Sequence, residues 1–525
     1  MALPDLEALN AALDLLPDQF RGPGGVAGVV HEGRVIARRA WGHADLAARL
    51  PMTAARRMPI CSISKQMTCA LLLDQCGDPE ALDPLLPDLL PKLQDPRPTV
   101  AQLCHNQSGL RDYWALTVLH GAAPEGCLTA EQGLELISGA RSTHFQPGTA
   151  NSYSNGNFRL LAELIQRATG KAFGALLTER ILRPAGMTTA VFSPDTSRRV
   201  DAVIGYEGND DVGFLPAESA ITWIGDAGVV ASLEDMLAWE VWIDTTRNDP
   251  AGLYSRLSAP VTFADGAPAA YAYGLRRYEL AGQVVTGHGG GLRGFCSFRL
   301  HVAAARLSVV VIFNHEASAM GAAEGLMQAA LGLPIPPSQP VQGWTGLWHE
   351  PQTDLFLRCR DTPDGVRLNF SVSPVTLRPV TPLRAEGPGG LVLERAGAAL
   401  VMRRPAENLI LHALPVRPLA RADAAAIAGR YWSDEIGAAL LIEARDGAAS
   451  ISFEGMLGAG PVERMYPMAP DLWTVTSRRA MDAAPPGEWS LRICRDALGR
   501  VEGLVLGCWL ARNIRYCGPQ ADQDR

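Results

Sequence analysis

Ser62 and Lys65 stand three residues apart in CSISKQMTCALLLDQ, and the apolar positions after them, Met67, Leu71 and Leu72, carry a helical period. Positions three apart on a helix share a face, so the lysine amine reaches the serine hydroxyl. A serine hydroxyl is a poor nucleophile at neutral pH and needs an adjacent base; a lysine partly desolvated beside other cations or donors loses enough basicity to serve. At a helix start the Ser62 backbone N–H also points into such a site, as half of an oxyanion hole. Ser-x-x-Lys alone is common by chance, and its plain alternative is a capping serine beside a solvated lysine.

Two further segments add chemistry. In FQPGTANSYSNGNF, Tyr153 and Asn155 lie two apart in a loop rich in Gly and Asn, which puts a phenol and a carboxamide into one cleft. A phenol near an ammonium ionises or relays a proton, a general acid/base to work with Lys65; the alternative is a surface turn. In VVTGHGGGLRGF a strand ends in His288, Gly289, Gly290 and Gly291, and glycines there permit close backbone approach to a ligand. The imidazole is expected beside the acyl oxygen or on the carboxy side of a substrate. No HExxH or other metal spacing occurs among the ten histidines, so neither a metal nor another cofactor is called for.

A chain of 525 residues exceeds one compact core, and two or three domains are expected. Hydrophobic residues at 47% and charged residues at 19% exclude a mostly disordered chain. The net charge is -8 and no run of Lys and Arg could track a phosphate backbone, which excludes nucleic acid as a partner. Asp5, Glu7 and Asp14 stand where a secretory signal would be basic and then apolar, so the start reads as an amphipathic helix. No stretch reaches the roughly 18 apolar residues that span a bilayer. Ten scattered cysteines without a CxxC pair suit a reducing compartment. A soluble cytoplasmic protein with no membrane partner is the expectation.

Residues 1–333 alternate helical periods with short strands; GVAGVVHEGRVIARRAWG reads as a hairpin turning at Glu32 and Gly33. LGLPIPPSQP, residues 331–340, has four prolines in ten and forms a stiff linker. Beyond it short alternating runs broken by Asp and Gly indicate antiparallel β structure. The texture repeats: GLWHE then LFLRCRDTPDGVRLNF, and GRYWSDE then LLIEARDGAASISF. Two small barrels are expected, over 341–417 and 418–525.

The order Ser-x-x-Lys, Tyr-x-Asn, His-x-Gly resembles the penicillin-recognising serine enzymes: β-lactamases, DD-peptidases and related esterases. LCHNQSGLRDY, ILRPAGMTTAVF and GDAGVVASLEDMLAW lie between the motifs in family order. The resemblance implies a multidomain chain whose β-lactamase-like α/β domain, 1–333, has a five-stranded antiparallel sheet flanked by helices plus a helical subdomain. It makes Ser62 the acylated nucleophile, Lys65 its base, Tyr153 the acid/base, Asn155 a substrate-amide binder, and the N–H groups of Ser62 and Gly291 the oxyanion hole. The family's third motif is generally Lys-Thr/Ser-Gly, which greets a substrate carboxylate; His288-Gly289-Gly290 stands there instead, which argues against a carboxypeptidase or β-lactamase.

His-x-Gly followed by two β domains is similar to the bacterial D-stereospecific aminopeptidases. In RRAMDAAPPGE, residues 478–488, the resemblance implies a loop rigidified by Pro485 and Pro486 that enters the cleft. Asp482 would pair there with a substrate α-ammonium, making an exopeptidase for small peptides or amides with a free N-terminal amine, and a homodimer is implied as well. A carboxylesterase or amidase of the same fold, or a non-catalytic penicillin-binding module, are the competing readings, and a solvated loop is the alternative for Asp482.

Overall fold

The computed structural model describes residues 4–334, 340–476, 479–482 and 486–518. Helix α1 (Leu6–Gln19) starts where Asp5 accepts a hydrogen bond from the Ala8 N–H at 2.9 Å, satisfying a donor that the helix itself leaves unpaired. Leu9, Leu13 and Leu16, spaced four and three apart, are buried, the single apolar stripe of an amphipathic helix. Strands β1 (Gly24–His31) and β2 (Arg34–Asp45) follow. They turn at Glu32 and Gly33 with φ of 51° and 71°, and two successive positive φ angles fit the type I′ turn that matches strand twist.

Helices α2 (Ser64–Cys76), α3 (Asn155–Thr169) and α4 (Leu233–Thr246) come next. Strands β3 (Leu275–Leu280), β4 (Gln283–Leu292), β5 (Phe295–Val302) and β6 (Leu307–Phe313) precede helix α5 (Ala319–Leu331). The sheet runs β3-β4-β5-β6-β1-β2, all antiparallel, with the two-residue strands Tyr271–Ala272 and Leu50–Pro51 on its edges. It therefore has eight strands among the described residues rather than five. Tight turns extend it: Ala281 and Gly282 (φ 47° and 83°) and Tyr273 and Gly274 (φ 49° and 76°) each fold the chain straight back into register.

Strands β1 and β6 are buried almost end to end because both faces are covered, which is why they read as unbroken apolar runs. Ala27, Val29, Val309 and Val311 pack with α1 and α5. Val26, Val30, Val310 and Ile312 face the opposite layer with Leu233 and Leu237 of α4. Between that layer and the sheet, Arg299 of β5 donates to Glu240 of α4 (Nε–Oε1 2.7 Å) and to the Tyr254 hydroxyl at 2.9 Å, with both charges fully buried. Helix α2 is buried continuously from Ser64 to Leu73, so it runs through the middle of the domain and presents its polar residues to an interior.

The C-terminal strands form two barrels. Eight strands from Gly346–Glu350 to Leu409–Pro415 close where Trp348 pairs with Pro415. Eight more close into a ring between Gly429–Ser433 and Ala511–Cys517, with Trp432 opposite Cys517, and the short strand Gly458–Ala459 is appended. Closure leaves no open sheet edge. Each barrel opens with an aromatic strand and then a hairpin, the second turning at Asp446 and Gly447 (φ 52° and 77°). This is the repeat visible in the sequence.

Candidate active site

Residues Cys61–Ile63 form one tight helical turn ahead of α2, and Cys61 has φ of 52°. A positive φ on a side chain other than glycine costs about 1–3 kcal/mol and persists only where the surroundings impose it. Here Ile60 donates to Val229 O at 3.1 Å, and the Ser297 hydroxyl donates to Ile60 O at 3.1 Å. Gly290 of β4 lies against the same turn: a Cβ there would sit 2.2 Å from Ile60 O and 3.0 Å from Cys61 Cβ. One residue on, a Cβ at Gly291 would meet nothing within 4 Å. The glycine run thus divides its work between packing the serine turn and leaving backbone open beside it.

Lys65 is fully buried and its Nζ lies within hydrogen-bond distance of three acceptors: Ser62 Oγ at 2.9 Å, Asn155 Oδ1 at 2.8 Å and Asp226 O at 2.6 Å. The rings of Tyr153 and Phe158 lie below the same nitrogen, with centroids at 5.0 and 5.4 Å. When the nitrogen is an amine, Asn155 and Asp226 take its two N–H groups and the lone pair is left on the Ser62 side. This is the orientation a base needs to accept the serine proton.

Tyr153 is partly exposed, and its hydroxyl has no hydrogen-bond partner among the described residues, which leaves it open to a ligand. Asn155 opens α3. Its carboxamide oxygen faces Lys65, and its nitrogen donates to Asp112 Oδ2 at 2.9 Å, so both ends act on protein groups. Asn106 Oδ1 holds the same loop, accepting from the Ser154 backbone N–H at 3.2 Å and from Asn157 Nδ2 at 2.9 Å.

His288 is brought to the site but faces the protein. Its Nδ1 lies 2.5 Å from Gly289 O and its Nε2 3.0 Å from the Tyr271 hydroxyl. A carbonyl only accepts, so the proton sits on Nδ1, and Nε2 accepts from Tyr271. Burial, then the cations Arg276 and Lys65, hold the imidazole well below its ordinary pKa, so it is neutral. The expected approach of this ring to an acyl oxygen gives way to a buried pairing with Tyr271, because β4 directs the side chain into the core. The Tyr153, Tyr271 and His288 rings form one cluster with centroids 5.6–6.1 Å apart.

The connection between barrel strands Leu472–Val475 and Trp489–Arg495 returns to this cleft. Asp482 O accepts from the Arg293 N–H at 3.1 Å, two residues past Gly291. The negative charge of Asp482 bears on the Cys61 thiol beside Ser62 and on the Tyr113 hydroxyl, helping to raise both pKa values behind the larger effect of burial. Arg479 pairs with Glu207 and Glu125, and Glu125 in turn pairs with Arg293 at 3.0 Å. Arg478 and residues 483–485, Pro485 included, lie outside the described residues; Pro486 O accepts from Leu510 N at 3.4 Å. Beyond Arg293 lies a cavity of about 880 Å³, bordered by Glu125, Leu292 and Trp223 and by none of Ser62, Lys65, Tyr153 or Asp482.

Sequence reasoning missed Asp112, Tyr113, Asp226 and Tyr271. The Tyr113 hydroxyl donates to Asp226 Oδ2 at 2.8 Å. Burial raises the Asp112 pKa to about 6 against the opposing pull of Asn155 and Lys65, and burial raises Asp226 too. Asp112, Tyr113 and Asp226 lie within LCHNQSGLRDY and GDAGVVASLEDMLAW, so the signal was positional: two aspartates and a tyrosine inside segments already aligned with a family order. Among the described residues no group of three or more His, Cys, Asp or Glu side chains could hold a metal ion.

Residues 9–333 match the β-lactamase family model, and residues 337–517 match D-aminopeptidase, domain B. The D-aminopeptidase of Cereibacter sphaeroides is 53% identical over 512 residues, covering 98% of this chain and 99% of that protein. The D-aminopeptidase of Brucella melitensis biotype 2 is 49% identical over 518 residues, again covering 98% and 99%. The octameric penicillin-binding protein homologue from Pyrococcus abyssi superposes with a TM-score of 0.54 at 16% identity, covering 78% of this chain and 100% of that one. The D-amino acid amidase from Ochrobactrum anthropi SV3 complexed with L-phenylalanine gives 0.51 at 19% identity, covering 62% and 99%. These two likenesses are of fold alone.

Proposed function

The chain belongs to the β-lactamase family and, within it, to the bacterial D-aminopeptidases, and on that premise we propose that it is a serine aminopeptidase releasing N-terminal D-amino acids from peptides, amides and esters. Ser62 Oγ attacks the scissile carbonyl carbon as its proton passes to Lys65 Nζ, Tyr153 protonates the leaving amine as the C–N bond breaks, and the proton on Lys65 restores the phenol. Water then hydrolyses the Ser62 ester and regenerates the hydroxyl. The N–H groups of Ser62 and Gly291 receive the oxyanion. Residues 1–333 carry this chemistry, residues 341–417 form the middle barrel, and residues 418–525 supply Asp482 for the substrate α-ammonium.

The observation that carries the reading is the convergence of Ser62, Lys65 and the Asp482 loop. Beside a nucleophile with its base at 2.9 Å runs the segment of Asp482, whose backbone carbonyl accepts from the Arg293 N–H at 3.1 Å, two residues past Gly291. An amidase without amine recognition has no use for the second feature. Among the described residues no helix is long and apolar enough to cross a membrane. With all ten cysteines present as thiols, the reading includes a reducing, cytoplasmic setting, and by family resemblance a homodimer. The test is kcat/KM for D-alanine amide, L-alanine amide and N-acetyl-D-alanine amide, followed by ammonia release. Turnover confined to the free D-amine upholds the reading; equal rates on all three would make the protein a general amidase.

A further inference from the structure

Arg111, Asp112 and Tyr113 are consecutive, and the last two each grip a different acceptor of Lys65. Besides Ser62, Lys65 has two acceptors, Asn155 Oδ1 and Asp226 O. Asp112 fixes the first of them, accepting from Asn155 Nδ2 at 2.9 Å and from the Asn155 backbone N–H at 3.2 Å. Tyr113 fixes the second by donating to Asp226 Oδ2 at 2.8 Å. The triplet is itself held by the last barrel. The Asp112 N–H donates to Leu510 O at 3.0 Å, Arg111 Nε donates to Arg512 O at 2.8 Å, and Arg111 Nη1 pairs with Glu435 at 2.7 Å. Leu510 immediately precedes the closing strand Ala511–Cys517, and Arg512 lies within it.

The geometry points to Asp112 as a positioning residue for the base: through Asn155 it sets the direction of the Lys65 lone pair, and through Leu510 it makes that direction depend on the docked C-terminal barrel. The inference rests on the roles given to Ser62 and Lys65. An ionised or neutral Asp112 oxygen accepts from Asn155 Nδ2 and so forces Asn155 Oδ1 toward Lys65. Without that acceptor the carboxamide turns over and sets its NH₂ against the Lys65 N–H groups, leaving the lone pair unaimed. The barrel that carries Asp482 thereby also tunes the nucleophile, and cleavage is coupled to domain docking.

Asp112→Asn separates this from a structural role. Asp112 also caps the helix Tyr113–Leu119 by accepting from Trp114 N, and asparagine caps as well as aspartate. The cap survives while an NH₂ now opposes Asn155 Nδ2. The expected result is a kcat for D-alanine amide lowered roughly a hundredfold with little change in KM and an unchanged melting temperature. Labelling of Ser62 by a fluorophosphonate, which needs the activated serine but no amine recognition, slows in parallel. Tyr113→Phe, which deletes only the bond to Asp226, moves both rates in the same direction by about tenfold.

Parent-like kcat and labelling in Asp112→Asn overturn the inference. So does a loss matched by a fall in melting temperature. If the parent labels at Ser62 but cleaves no D-aminoacyl amide, the aminopeptidase reading fails, and the labelling rates alone still decide the positioning role. If Asp112→Asn does not fold, Asp112→Ser, which keeps a cap for the helix Tyr113–Leu119 and removes the acceptor of Asn155 Nδ2, decides it by the same two rates.

Discussion

Lys65 Nζ lies 2.9 Å from Ser62 Oγ, one turn away at a junction where Cys61 holds a positive φ. The hydroxyl is thereby aimed at the cleft while the amine stays buried. Ser62→Ala removes the acyl acceptor and should cost on the order of 10⁶ in kcat while the melting temperature holds. Lys65→Ala and Tyr153→Phe should approach the same loss, because the proton relay works as a unit. Retained turnover in any of the three would remove that residue from its role.

Glu240 and Arg299 are fully buried, and a buried pair broken on one side leaves an uncompensated charge. Glu240→Ala should destabilise the protein by about 3–5 kcal/mol, seen as an earlier denaturant transition of the sheet domain. The Ser62 and Lys65 roles require nothing from this pair beyond folding, so the activity of molecules still folded should be near that of the parent. A loss below about 1 kcal/mol would mean that water reaches Arg299 readily.

Burial depresses the folded pKa of His288 well below 6.5, and depresses His105 to about 4 and His301 to about 3. Each of these groups is neutral when folded and takes up a proton on unfolding once the pH falls below 6.5. Their stabilisation is therefore full above 6.5 and is lost progressively as the pH drops toward each folded pKa. Below pH 6 the unfolding free energy should fall with a slope of about 1.4 kcal/mol per unit for each such histidine. His288→Gln keeps an acceptor for Tyr271 and should flatten that slope by about one proton. Asp112, raised to about 6, acts oppositely: between pH 4 and 6 the folded state binds more protons there than the unfolded one. An unchanged slope in His288→Gln would mean that the imidazole already titrates in the folded state.

Local geometry made Ser62 and Lys65 legible, since a spacing of three on a helix needs no knowledge of the rest of the fold. The Glu32-Gly33 hairpin and the paired barrel openings were legible for the same reason. Asn155 and His288 were found by type and spacing, yet their partners were not. Whether a carboxamide faces a substrate or is held by Lys65 and Asp112 depends on contacts between residues 43 and 90 positions apart. Whether His288 faces the cleft depends on the pleat of β4. Asp226 contributes a carbonyl oxygen to Lys65, a group every residue possesses, so no side-chain pattern marks it. The sheet grew beyond five strands through turns at Tyr273-Gly274 and Ala281-Gly282, of which only the glycines signal a turn.

Asp482 tests the aminopeptidase reading most directly. Its backbone is tied to Arg293, two residues past the Gly291 N–H proposed for the oxyanion, which on the proposed reading sets its carboxylate toward the α-ammonium of a substrate acylating Ser62. A charge-assisted hydrogen bond of this kind contributes roughly 1.5–3 kcal/mol. Asp482→Asn should therefore lower kcat/KM for D-alanine amide by about ten to two hundredfold, by the same energies. An N-acetylated analogue or a simple ester makes no such bond and should be unharmed or improved. Shortening the segment between 478 and 488 should go further. Arg479 ties this segment to Glu125 and Glu207, and Glu125 and Arg293 border the cavity of about 880 Å³. Its removal should give N-blocked peptides or β-lactams room beyond the amine site. The measurement is kcat/KM for D-alanine amide beside its N-acetyl analogue in the parent and both variants. Equal losses on the two substrates would reduce the loop to a support of the fold, and the protein would then be an esterase or amidase of the same architecture.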